Sequence, residues 1–109
     1  MALELLNLPD PPTAIFAYSD VQALGALEAA REMGLNVPND LSVVGYDDID
    51  TAHFAQLTTV RQHLFETGMQ GVEYLLDAIE KSSLPPVHIQ LPTELVIRQT
   101  TAPPRLPAN

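Results

Sequence analysis

Three carboxylates fall within four residues, Asp47, Asp48 and Asp50, at the end of the stretch "SVVGYDDID". A second polar pair, Ser19 and Asp20, follows the apolar run "TAIFA". Grouped carboxylates can accept hydrogen bonds from a ligand's hydroxyls, hold a hard cation, or simply carry the chain from core to solvent. An aspartate accepts two hydrogen bonds in fixed directions, which suits adjacent hydroxyls of a sugar or nucleoside.

The residues weigh against the cation. Magnesium-dependent phosphoryl chemistry also needs a phosphate cradle or a basic partner near the reacting group. Neither the end of the first apolar run nor that of the second offers a lysine or arginine. "DDID" also lacks the glycine and distal glutamate of a calcium loop. Cysteine is absent, which removes thiolate chemistry, disulfides and cysteine-ligated metal sites. His53, His63 and His88 are scattered, no serine sits in a G-x-S-x-G elbow, and no glycine-rich phosphate loop follows a strand. No metal, no cofactor and no enzymatic activity are expected.

Each carboxylate also has a structural role to weigh. Asp20 suits a helix cap, and Ser19 with Gln22 would form a capping box. Asp48 and Asp50 suit a turn or the start of a helix, where carboxylates are favoured. Asp47 comes directly off an apolar strand, where an unpartnered carboxylate is costly to bury. Ligand contact and polar exit both stay open for it on these grounds.

The elements that must position these groups follow from periodicity. "TAIFAYS" (Thr13 to Ser19) and "LSVVGY" (Leu41 to Tyr46) read as strands buried on both faces. Between them, Leu24, Leu27, Ala30 and Met33 follow helical spacing, and Gly34 suits a left-handed stop. A strand, a helix and a strand at this spacing predict a βαβ crossover with parallel strands. Ligands of such sheets bind beyond the carboxyl ends of the strands, where Ser19 and Asp47 both emerge. A short helix over "ALELLNL", ended by "PDPP", precedes this unit. A short helical stretch follows the acidic turn. Then come a strand over Leu57 to Gln62, a helix from about Leu64 to Lys81 with Phe65, Met69, Val72, Leu76 and Ile79 in one stripe, a half-exposed strand over Val87 to Leu91, and a last strand over Glu94 to Arg98. "QTTAPPRLPAN" has no periodicity and should be loose. There is no internal repeat.

The chain of 109 residues holds at most one small domain, and 46% hydrophobic with 17% charged residues is a globular balance. A formal charge of −9 repels phosphate backbones, so this segment should not hold nucleic acid by itself. The start, "MALELLNLPDPP", has no basic flank or long apolar core and does not read as a signal peptide. No apolar run approaches the roughly 20 residues of a membrane span. The small apolar face "ALGALEAA" packs on its own sheet. Its breadth also leaves surface for a partner subunit.

"PTAIFAYSDVQALGALEAAREMGLNVPNDLSVVGYDDID", "LTTVRQ" and "LPTELVIRQTT" occur in that order. Together they closely resemble the C-terminal part of the effector-binding core of LacI/GalR-family transcriptional regulators, over about Leu6 to Thr101. The resemblance implies an incomplete α/β fold of the type I periplasmic-binding-protein-like kind. Residues 1–102 would be the C-terminal part of an effector-binding domain, with about 1–57 and 94–101 in the second lobe and about 63–91 supplying first-lobe elements. Residues 103–109 would be a loose tail. It further implies a cytoplasmic protein that takes a small-molecule effector, a carbohydrate or nucleoside, between two lobes. Such a protein pairs as a homodimer and touches DNA only through a helix-turn-helix headpiece that this chain lacks.

By resemblance Asp47 contacts effector hydroxyls and Ser19 is a second contact. Serine stands where the family often has asparagine, and so lacks an amide's paired donor and acceptor. Asp20 and Asp48 would be capping residues or lie behind the ligand contacts. Val21, Leu24, Leu27, Glu28, His53 and Phe54 would form the dimer surface. The alternatives are a periplasmic-type sugar-binding protein of a transporter, which "LTTVRQ" disfavours, and a magnesium-dependent receiver-like domain. A fragment missing strands should also leave a sheet edge or lobe face unpaired and self-associate, with elements exchanged between chains.

Overall fold

The computed structural model describes residues 1–82 and 84–105. The elements run α1 (Ala2–Leu6), β1 (Ala14–Phe16), α2 (Asp20–Glu32), β2 (Ser42–Asp47), α3 (Asp50–Phe54), β3 (Thr58–Arg61), α4 (Leu64–Glu80) and β4 (Glu94–Val96). Two compact units form: Met1–Arg61 with the segment from Glu94 onward, and Gln62–Thr93.

The first unit is built on one four-stranded sheet in the order β1-β2-β3-β4. β1 and β3 both pair parallel with β2, through Ile15↔Val43 and Gly45↔Thr59 among others. β4 closes the edge antiparallel to β3, with Arg61 opposite Glu94. The βαβ crossover and its parallel pair are therefore as expected.

α2 starts on a side-chain cap and stops on a glycine, both carried by the sequence. The Ser19 hydroxyl accepts from the Gln22 amide at 3.3 Å. At the other end Gly34 takes φ +69°, the Gly34 amide reaches the Arg31 carbonyl, and the Leu35 amide reaches that of Ala30. That is a Schellman closure, which satisfies two otherwise orphaned carbonyls.

The buried face of α2 differs from the expected stripe. Ala23, Ala26 and Ala30 lie against the sheet with at most 2% exposure, while Leu24 and Leu27 are only half-buried. Alanines let helix and sheet backbones approach closely, so the small residues and not the leucines face Leu41, Val43 and Leu57.

Three further expectations are corrected. β1 and β2 are not buried on both faces. β2 alternates buried Val43 and Gly45 with half-buried Val44 and Tyr46. On the face of Val44 lie Phe16, 68% exposed, and Leu95, 60% exposed. The helix packs on one face only, so period-two alternation replaces the continuous burial of a doubly covered strand.

Val87 to Leu91 form no strand: the segment has no regular structure. A strand needs a partner for its backbone groups, and none runs beside it among the described residues of its unit. Nor is the start of the tail loose. Thr100 is 5% exposed, its carbonyl accepts from the Val43 amide, and its hydroxyl donates to the Val43 carbonyl while accepting from the Thr58 amide. These bonds continue the sheet's ladder below the point where β3 begins. Arg105 pairs with Asp40. Residues 106–109 of the expected loose tail lie outside the described residues.

In the second unit α4 has the expected extent but no buried residue. Phe65, Met69, Val72, Leu76 and Ile79 are each at least half exposed. No helix among the described residues is long and apolar enough to cross a membrane.

Candidate functional site

The site grows from the carboxyl end of β2. Val43 and Gly45 turn inward, and Gly45 sits where α2 begins: a Cβ there would collide with the Asp20 carboxylate and meet a Leu57 methyl at 2.9 Å. The absence of that side chain lets Asp20 be drawn wholly inside, at 0% exposure. Its Oδ1 accepts from the Thr59 hydroxyl and its Oδ2 from the Ile49 amide at 2.8 Å. Asp20 is thus not the cap of α2, which is Ser19. It is a buried carboxylate tying the start of α2 to β3 and to the turn after β2.

That turn is unusual. Asp47 takes φ +118° and Asp48 φ +61°, two consecutive non-glycine residues in positive-φ space. Aspartate tolerates the left-handed region that Asp48 occupies, whereas φ +118° at Asp47 lies beyond it, in backbone that an L-residue keeps only when its surroundings over-determine it. Asp47 ends β2 in register with Arg61 and is half-buried. Asp50 is the exposed first residue of α3, where its charge favours the positive end of the helix.

The Asp48 carboxylate does not face solvent or cap a helix. It is 8% exposed and lies between two guanidiniums, with Arg61 Nε donating to Oδ2 at 2.6 Å and Arg98 Nη2 to Oδ1 at 2.7 Å. Arg98 Nη1 also donates to the Leu57 carbonyl at 2.9 Å, and Arg61 reaches Glu94 at 3.5 Å. Burial by itself would raise the Asp48 carboxyl, but the hydrogen bonds from Arg61 and Arg98 and their charge hold it below the usual carboxylate range. The same pairing raises Arg61. The basic partners missing from the ends of the first two strands are supplied by the end of β3 and the residues after β4. Arg61 and Arg98 are the residues that sequence reasoning missed. The available signal was the parallel register that sets Arg61 beside Asp47, which no local pattern encodes.

Because β1 and β2 run parallel, Ser19 and Asp47 stand at the same edge of the sheet. Ser19 is half-buried and its oxygen serves the α2 cap. Among the described residues no group of three His, Asp or Glu side chains is placed to hold a metal ion. His63 precedes α4, and His88 is exposed on the irregular segment. Of the expected dimer surface, Val21 is 67% and Phe54 83% exposed, and the His53 and Phe54 rings meet edge to face at 6.0 Å. Leu24 and Leu27 are half-buried, and Glu28 is exposed and bonded to Arg31.

Residues 1–101 match the family model of the periplasmic binding protein-like domain. The chain is 44% identical over 100 residues to the HTH-type transcriptional repressor CytR of Escherichia coli K12, covering 90% of this chain and 29% of that protein. A LacI family transcriptional regulator from Enterococcus faecium, solved with bound ribose, superposes with a TM-score of 0.85 at 34% identity, over 95% of this chain and 39% of that one. The dimeric Lac repressor superposes with a TM-score of 0.84 at 37% identity, again over 95% and 39%. The chain therefore spans less than half the length of each of these relatives.

Proposed function

From a chain that belongs to the periplasmic-binding-protein-like family in its LacI type, we propose a sensor of a small hydroxyl-rich effector, a sugar or nucleoside, within a transcriptional regulator. The single observation that carries this reading is Asp47. It is a half-buried aspartate at the carboxyl end of a central parallel strand, in a positive-φ turn. There it can accept hydrogen bonds from two adjacent hydroxyls. Ser19, at the same edge, contributes one further hydroxyl. The bound ribose of the Enterococcus relative supports a sugar-class ligand.

In this reading the first unit is a large part of the second lobe and Gln62–Thr93 belongs to the first. The effector sits against the Asp47 edge and changes the DNA affinity of the intact regulator. Val21, Leu24, Leu27, Glu28, His53 and Phe54 form a surface for a second copy, supported by the exposure of Val21 and Phe54 and by the dimeric state of the Lac repressor.

A thermal-shift screen of pentoses, hexoses, disaccharides and nucleosides tests the reading. At least one compound should raise the unfolding temperature in a concentration-dependent way, and that rise should vanish in Asp47→Ala. If no compound stabilises the chain, or if the stabilisation survives in the variant, the reading fails.

A further inference from the structure

Two consecutive aspartates in positive-φ space need something to hold them there, and glycine would adopt the turn at less cost. The residue at 48 is nevertheless an aspartate, with its carboxylate enclosed by Arg61 and Arg98. On the far side of the turn the Ile49 amide is fixed by Asp20. The turn is thus gripped at Asp48 and at Ile49.

Arg61 and Glu94 add a second fact. They face each other across β3 and β4, they are ion-paired, and they are the residues at which the chain leaves and re-enters the first unit. The Asp48 carboxylate therefore joins the turn that presents Asp47 to both strand ends.

We infer that Asp48, through Arg61 and Arg98, is the positioning residue for the Asp47 ligand contact, holding its backbone in the presenting conformation and anchoring it to the paired strand ends at Arg61 and Glu94. The ligand half of this inference rests on the proposed function. The conformational half stands without it. Asp48 does not touch the ligand. Its charge is used on the arginines, and its effect on binding runs through the Asp47 backbone.

Two variants separate positioning from mere stability. Asp48→Asn keeps size and tolerates positive φ but loses the charge. Asp48→Gly relieves the backbone while removing the clamp. Isotope-labelled full chain is compared by the amide–Hα couplings of Asp47 and Asp48 and by amide hydrogen exchange at Ile49, without ligand. Ribose and adenosine are then titrated.

In both variants the Asp47 coupling should move toward a conformational average, and Ile49 exchange should accelerate at least tenfold. Affinity for whichever probe binds the parent chain should fall at least tenfold, in Asp48→Gly even though its melting temperature holds up better than that of Asp48→Asn. Native couplings in both variants would overturn the inference, as would altered couplings with unchanged affinity. If the parent chain binds neither probe, the proposed function is what fails, and the couplings alone decide whether Asp48 holds the turn.

Discussion

The turn after β2 and the helix α4 are opposites in how they are held. The turn is short of apolar residues, Ile49 being the one that packs on the core, and it is held by directed contacts: its Ile49 amide by the buried Asp20 carboxylate, and its Asp48 carboxylate, 8% exposed, by two arginines. α4 carries five large apolar residues in one stripe, and none is buried. Apolar periodicity states what a segment wants to hide. It does not say whether the cover is present. Directed polar contacts are different: a buried carboxylate is tolerable only when its partners are already in place.

The largest test of this contrast is Gly45→Ala. The added methyl must displace both the Asp20 carboxylate and the Leu57 side chain, so stability should fall by about 3–4 kcal/mol through overpacking and loss of buried hydrogen bonds. Chemical denaturation checks it. A loss below about 1 kcal/mol would mean that Asp20 is not locked in place.

Asp48→Asn comes next, at about 2–3 kcal/mol near neutral pH, since it strands two arginines of which Arg98 is itself only 10% exposed. The pH dependence has a definite sign. The folded Asp48 carboxyl lies below its usual value, so its contribution is complete above the unfolded pKa of about 4 and is lost as the pH falls through the folded value. The stability gap between parent and variant should close in acid. A gap that stays constant from neutral pH to the acid limit of folding would remove charge from the explanation.

The smallest expected effect is in α4. Phe65→Ala removes a side chain that is 76% exposed, so stability should change by less than about 0.5 kcal/mol. A loss of several times that, followed by the same denaturation curves, would show that the stripe is covered in solution, and would reverse the contrast at its weaker end.

Much of the first unit was legible because its signals are local. The Ser19–Gln22 cap and the Gly34 stop are each written within a few residues, and the parallel crossover in the succession of strand, helix and strand from Ala14 to Asp47. What was not legible depends on register or on coverage. The inward face of α2 falls on Ala23, Ala26 and Ala30 because close packing favours small residues, against a hydropathy pattern that favours Leu24 and Leu27. Thr100 looked like part of a featureless tail, but its one hydroxyl fills a gap in the ladder beside Val43 and Thr58. Phe16 lies exposed because α2 covers only the other face of the sheet, and Val87 to Leu91 form no strand because strand propensity presumes a neighbour. At the site, Asp47 stood out in the sequence as an aspartate leaving a buried strand. The partners of Asp48 did not, because Arg61 is 13 residues away and Arg98 50 residues away.

The most direct test of the central claim is a calorimetric titration of the best-stabilising sugar or nucleoside into three forms of the full chain: parent, Asp47→Ala and Asp50→Ala. The account predicts a loss of at least about tenfold in affinity for Asp47→Ala, the cost of about 1.4 kcal/mol or more expected when a charge-assisted hydrogen-bond pair is removed. It predicts parent-like affinity for Asp50→Ala. Equal affinity in all three forms, or a loss in Asp50→Ala that matches Asp47→Ala, would contradict the assignment of Asp47 as the ligand-binding carboxylate.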